Sequence, residues 1–191
     1  MPARKRPFKG ATQRDVFNTV HVGSEGEEWI VERARKFKDE RHAVVNPRFG
    51  NPTIRYAVDY LEKHGIVVKA MKISQFIDEM ESNGQCTANV SIDMPDPTGK
   101  GREDHFNFPK LFSHARNILL PGGIISITSE NKSFLERLAS EAAKHGVDSK
   151  PLPSPNTWAE MRTEYMRSRY RMGGQIYRME FWLRKSKSAK K

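Results

Sequence analysis

Thr87-Ala88-Asn89-Val90-Ser91-Ile92-Asp93 runs straight into Met94-Pro95-Asp96-Pro97-Thr98-Gly99-Lys100-Gly101-Arg102, and this junction decides the fold. The first seven residues read as a strand. The proline on each side of Asp96 stiffens the turn that follows and holds one carboxylate at the strand's carboxyl end, where open α/β sheets place their ligands. About twenty residues further on, counted in the spacing typical of a βαβ unit, Ile118-Leu119-Leu120-Pro121-Gly122-Gly123-Ile124-Ile125-Ser126-Ile127-Thr128 reads as a helix end, a Pro-Gly-Gly turn and a buried strand.

Outward from this pair the chain alternates strand and helix. Thr19 to Val22 and Ala43 to Val45 are strands, and between them Trp29, Ile30, Arg33, Ala34 and Phe37 fall at helical spacing. Pro52 to His64 is a helix with proline at its start and Gly65 past its end, burying Ile54, Val58 and Leu61. Ile66 to Val68 is a third strand, and Ser74 caps a helix that Asn83-Gly84 ends. Pro109 to Asn117 and Asn131 to His145 are helices on either side of the 124–128 strand, the second with Phe134, Leu135, Leu138 and Ala142 on one face. Lys150 to Asn156, with three prolines, reads as an extended linker. Gln175 to Trp182 is an aromatic-rich last strand. Such alternation implies an α/β fold, a mostly parallel sheet of about seven strands with helices on both faces.

Composition agrees with one domain of this kind, spanning 16–184 between a basic arm at 1–15 and a basic tail at 185–191. The 191 residues suffice to bury a core without disulfides. A single cysteine, Cys86, excludes a disulfide scaffold or a cysteine zinc cluster and points to a reducing compartment inside the cell, cytoplasm or mitochondrion. No apolar run approaches the ~20 residues a membrane span needs. The formal net charge of +10 favours an anionic polymer, most simply RNA, over a small neutral substrate.

The positive charge is concentrated in three places. Arg4, Lys5, Arg6, Lys9 and Arg14 precede the first acid, and the chain ends Arg184-Lys185-Ser186-Lys187-Ser188-Ala189-Lys190-Lys191. Each arm reads either as a solvated tail or as a phosphate-binding one, and the first also as a short mitochondrial presequence. The third stretch is internal: Arg162, Arg167, Arg169, Arg171 and Arg178 alternate with Tyr165, Tyr170 and Tyr177. This pairs phosphate contacts with stacking surfaces, as RNA-binding faces do, although tyrosines on a charged helix also serve simply to cover a core.

The motifs of the second half resemble the tRNA (guanine-N7)-methyltransferase family, whose members have the Rossmann-like class I methyltransferase fold. Pro95, Asp96, Pro97, Lys100 and Arg102 fall on that family's Phe-Pro-Asp-Pro-Trp-Pro-Lys-Lys-Arg-His motif, with Met94 and Thr98 in place of its aromatics. Leu119-Leu120-Pro121-Gly122-Gly123 matches its Leu-Lys-Pro-Gly-Gly, and Ser129-Glu130 its Thr-Asp. Thr163 matches the first position of its Thr-x-x-Glu, where the acid position is Met166; Thr157-Trp158-Ala159-Glu160 is a second match six residues earlier.

In the first half the resemblance implies a cofactor loop at Gly23-Ser24-Glu25-Gly26 and a ribose-gripping acid after the second strand. Glu25 stands where the family has glycine, and Asn46-Pro47 stands where it has the acid. Asn46 keeps hydrogen-bonding capacity but loses the charge-assisted pair. The resemblance assigns Gly23, Gly26, Asn46 and Thr163 to S-adenosylmethionine, Asp96 to the guanine edge, and Lys100 and Arg102 to phosphates. Guanine N7 is an intrinsic nucleophile, so positioning would carry the reaction. Two readings follow: an active tRNA methyltransferase, or an RNA-binding relative with an impaired cofactor site. The relative would act as a subunit of an RNA-containing particle, with tRNA or rRNA as partner, or as one half of a methyltransferase pair with a protein partner. On this reading Arg4, Lys5, Arg6, Arg167, Arg169 and Arg171 contact RNA.

Other chemistry finds little support. His21, His42, His64, His105, His114 and His145 lack zinc-ligand spacing and read as surface or helix-end residues, with His64 and His145 at helix C-termini. Gly99-Lys100-Gly101 lacks the frame of a phosphate-binding P-loop.

Overall fold

The computed structural model describes residues 16–23, 27–93, 106–155 and 164–184. These contain seven strands: β1 (Val16–Val22), β2 (His42–Val45), β3 (Val67–Lys69), β4 (Cys86–Asp93), β5 (Leu119–Ser129), β6 (Val147–Leu152) and β7 (Tyr177–Leu183). Six α-helices alternate with them: α1 (Glu27–Lys36), α2 (Arg55–Lys63), α3 (Ile73–Ser82), α4 (Phe108–Ile118), α5 (Lys132–Lys144) and α6 (Glu164–Arg171). The sheet order is β3-β2-β1-β4-β5-β7-β6. The first five strands run parallel, and β7 enters antiparallel between β5 and β6.

Parallel strands joined by helical crossovers are covered on both faces, so they need apolar residues at successive positions. Val20, Val22, Val90, Ile92, Ile125, Ile127, Met179 and Phe181 pack against Phe76, Ile77, Leu111, Phe112 and Leu138 of α3, α4 and α5 in one continuous core. On the other face Val44 and Ile66 meet Ile30 and Val31 of α1 and Ala57, Val58 and Leu61 of α2 in a smaller, separate cluster. Register aligns a polar row across the strands: His21 with Ser91, Ser91 with Ser126, Ser126 with Glu180, and Glu180 with Lys150.

Several local expectations change. Ser74 lies inside α3, and the residue before the helix is Lys72, whose backbone N–H donates to Gln75 Oε1 at 3.0 Å. The Pro-Gly-Gly segment lies within β5: Thr87 pairs with Leu119 and Asn89 with Ile124, so the residues between bulge outward. Gly122 has φ +81, and a Cβ on Gly123 would lie 2.8 Å from the carbonyl oxygen of Ala88, so the bulge requires both glycines. The expected linker instead contains β6, which reaches Leu152 and includes Pro151. It is an edge strand, where a proline can face the open side without losing a ladder hydrogen bond.

Candidate ligand site at the carboxyl edge of the sheet

β1 and β4 are neighbours, while their onward crossovers lead to opposite sides of the sheet; this is the switch point at which a crevice opens beyond the carboxyl ends. Gly23 ends β1 there with φ +71, and its N–H donates to the carbonyl of Val45 at 3.0 Å. Asp93 ends β4 one position beyond the register pair Val22–Ile92. It is buried, and Thr128 of β5 donates its hydroxyl to Asp93 Oδ1 at 3.1 Å. This carboxylate was missed in the sequence because it lies among the strand residues, and attention falls on the proline-flanked Asp96 three residues later.

Aromatic rings crowd this crevice from the α4 side. A Cβ on Gly23 would lie 3.0 Å from Cζ and 3.2 Å from Cε1 of Phe106, so the ring rests on the glycine. Phe106 stacks on Phe108 at 5.7 Å between centroids and 9° between planes, and Phe108 meets Phe134 edge-on at 5.6 Å. Between the first two rings Asn107 takes a left-handed conformation, φ 32, and accepts from the Lys110 N–H at 3.2 Å to cap α4. Asparagine tolerates that backbone better than most side chains, which lets the chain turn sharply from the Phe106 seat into the helix.

Asn46 follows β2 and is buried. Its side-chain oxygen accepts from the Arg48 N–H at 3.0 Å, capping the 3₁₀ turn Pro47–Gly50. Glu130, just past β5, pairs with Arg169 of α6. Arg167 and Arg171 lie on the same helix, and the Arg171 Nε–H donates weakly to the Arg167 carbonyl at 3.4 Å. Gly26, Asp96, Lys100, Arg102, Thr163, the second Thr-x-x-Glu at 157–160, and Arg4, Lys5 and Arg6 lie outside the described residues.

Behind the crevice are two histidines that had been expected at the surface. His21 and His42 are fully buried on adjacent strands, Nε2 of one 3.4 Å from Nδ1 of the other. Trp29 meets the His21 ring edge-on at 5.3 Å. His42 Nε2 is 3.2 Å from Glu40 Oε2, and Arg33 grips Glu40 at 2.8 and 3.1 Å. Burial is the main influence on His42 and holds its pKa below the ordinary histidine value; Glu40 pulls it upward and Arg33 adds to the lowering. Alternation alone could have flagged this pair, because a polar residue inside a buried parallel strand is out of place. His64 and His145 are at helix C-termini as expected. Among the described residues no cluster of metal-binding side chains occurs, and no helix is long and apolar enough to cross a membrane.

No family model matches the chain, and no curated protein does. Solved structures do. A 16S rRNA (adenine(1408)-N(1))-methyltransferase from Catenulisporales acidiphilia, with its cosubstrate SAM, superposes at TM-score 0.60 and 12% identity, over 92% of this chain and 90% of that one. The fold is that of the class I methyltransferases. A precorrin-6y C5,15-methyltransferase from Geobacter metallireducens matches at TM-score 0.54 and 12% identity, over 88% and 81%. Methanococcus jannaschii fibrillarin, a pre-rRNA processing protein, matches at 0.56 and 11%, over 92% and 70%.

The class I methyltransferase fold implies S-adenosylmethionine at the crevice, and two of the described residues there differ from what the resemblance implies. Asn46 supplies no charge for a ribose, and its oxygen already accepts from the Arg48 N–H. The Phe106 ring rests on Gly23, which the resemblance assigns to the cofactor. The described part of the crevice holds a buried carboxylate, Asp93, and an aromatic wall, Phe106 and Phe108.

Proposed function

We propose that this chain is an RNA-binding relative of the tRNA (guanine-N7)-methyltransferases with an impaired cofactor site. It acts as a subunit of an RNA-containing particle or of a methyltransferase complex inside the cell. The observation that carries this reading is Asn46: the position that should grip a ribose with a carboxylate holds a neutral amide whose oxygen is bonded to its own backbone turn. The charge of +10 supports an RNA partner. The second reading, an active methyltransferase, is favoured by the buried Asp93–Thr128 pair that leads into Pro95-Asp96-Pro97.

Calorimetric titration with S-adenosylmethionine and S-adenosylhomocysteine separates the two. The proposal expects no heat of binding at millimolar ligand, together with RNA affinity that falls steeply as salt rises. Micromolar cofactor binding, followed by methylation of bulk tRNA that Asp96→Ala abolishes, would establish the second reading instead.

A further inference from the structure

We propose that the amino edge of the sheet, the side away from the crevice, is the surface on which this chain holds RNA; the inference rests on the RNA-binding reading and places its main contact. Each of the five parallel strands starts at this edge, so the helices that run back between strands end there. β6 starts there and β7 ends there, since Val147 pairs with Leu183 and the Arg184 N–H donates to the Gly146 carbonyl at 3.0 Å. Both basic arms therefore join the fold at one edge, the first at Val16 and the second after Arg184.

The charge of the chain is sorted to the same place. The last turns of α1 to α5, the loops that follow them, the start of β6, Arg184 and the two arms hold eighteen of the 33 lysines and arginines but only eight of the 23 acids. All other residues together hold fifteen of each, so the whole excess of +10 belongs to this edge. Within the fold its exposed cations are Arg35, Lys36 and Lys38 near the end of α1, Lys63 on α2, Arg116 on α4, Lys144 on α5, and Arg184. Against them stand two exposed acids, Asp39 and Glu62. The other acids of the fold here are already bonded: Glu40 to Arg33, Glu79 to Lys69, Glu81 to His114 and Asn117, Glu141 to Lys144, and Asp148 to Arg184. A cation at a helix C-terminus also offsets the macrodipole, which does not account for Lys38 past α1, Arg184 past β7 or the arms.

The exposed cations are spread from β2 to β6, five strand spacings or about 24 Å, which lets one nucleic-acid backbone meet several of them. A membrane surface would call for an apolar helix face beside the charge, whereas the apolar faces of these helices are packed against the sheet. β4, eight residues long, sets the amino edge about 25 Å from Asp93 and the crevice. RNA held here lies far from the crevice, which suits a subunit that anchors RNA and not an enzyme that must present a base.

Fluorescence anisotropy of the full chain with a labelled RNA of about 20 nucleotides, over a series of salt concentrations, tests this. Lys36→Gln, Lys38→Gln, Lys63→Gln and Arg116→Gln together should lower the slope of log affinity against log salt by about 3, and equally so for an unrelated RNA sequence, because phosphates carry no sequence. A matched variant, Arg48→Gln, Lys72→Gln, Arg137→Gln and Lys150→Gln, removes the same charge from exposed sites elsewhere and should change the slope by less than about 1. All eight side chains are exposed, so both variants should fold. Equal changes in the two variants would reveal an effect of net charge with no dedicated surface and overturn the inference. An unchanged slope in the first variant overturns it likewise, and in either case the RNA-binding reading stands. No RNA binding by wild type sinks both, and binding to phosphatidylserine vesicles in its place assigns the edge to lipid headgroups.

Discussion

The two faces of the sheet are built on different terms. Under α3, α4 and α5 the core is apolar and continuous, with an aromatic chain running from Phe106 through Phe108 and Phe112 to Phe181. Under α1 and α2 the apolar cluster is small, and beside it lie the buried pair His21–His42 and the ion pair Arg33–Glu40. Buried polar groups contribute little net stability and lose much when unbalanced. The contrast teaches that the apolar face carries most of the fold's stability, while the α1–α2 face is free to vary its chemistry.

The largest expected effect lies in the larger core. Phe181→Ala removes a fully buried ring that lies 5.1 Å from Phe112 and should cost about 3–5 kcal/mol in urea unfolding. Leu61→Ala, in the smaller cluster, should fall near the lower end of the 2–5 kcal/mol range typical of such truncations, about 2 kcal/mol. Equal losses would erase the contrast between the faces. At their junction Gly23→Ala forces a side chain into φ +71 and against Phe106, with an expected cost of about 1–3 kcal/mol. Adding Phe106→Ala should recover the steric part and leave the backbone part, visible as a non-additive double-mutant cycle.

The polar face should respond to acid. Burial lowers the His42 pKa, so between neutral pH and about pH 5 the unfolded chain takes up a proton that folded His42 resists, and stability falls with pH. The slope from this group is at most about 1.4 kcal/mol per pH unit. His42→Gln should flatten the fall in melting temperature below pH 6.5, the ordinary histidine value. A wild-type melting temperature that stays level over that range would refute a lowered His42 pKa.

The smallest effect lies between α3 and α4, where Glu81 bonds His114 at 2.7 Å and Asn117 at 2.5 Å. Burial opposes ionisation there, but the bonds from Asn117 and His114 outweigh it and lower the Glu81 pKa. Its contribution is therefore present above pH 4.5 and is lost as acid protonates the carboxylate. Glu81→Gln should cost about 0.5–1 kcal/mol at neutral pH and nothing in acid.

The apolar face was legible in the sequence because its strands and helices carry unmixed periodicity: Val90 and Ile92, Ile125 and Ile127, Leu135, Leu138 and Ala142 fall where the pattern puts them. β6 was hidden because Pro151 signals a break, and only its edge position makes it acceptable. In the site, Asn46 could be read as uncharged from sequence, but its capping bond depends on how the following turn folds back. Phe106 over Gly23, Arg169 on Glu130 and His21 beside His42 join residues far apart in the chain, and no local spacing announces such contacts. The exposure of Phe37 shows the reverse error: it falls at helical spacing with Ile30 and Ala34 yet faces solvent.

β7 also sets the order in which the molecule can be completed. Its only strand partners among the described residues are β5 and β6, and β6 pairs with nothing else. During synthesis, β1 to β5 can associate as each emerges, but β6 must wait as an unpaired ribbon until Tyr177–Leu183 has left the ribosome and inserted beside Ile124–Ser129. A nascent chain halted before residue 177 therefore exposes the open flank of β5, with Ile125 and Ile127 on it, and depends on chaperones until translation resumes.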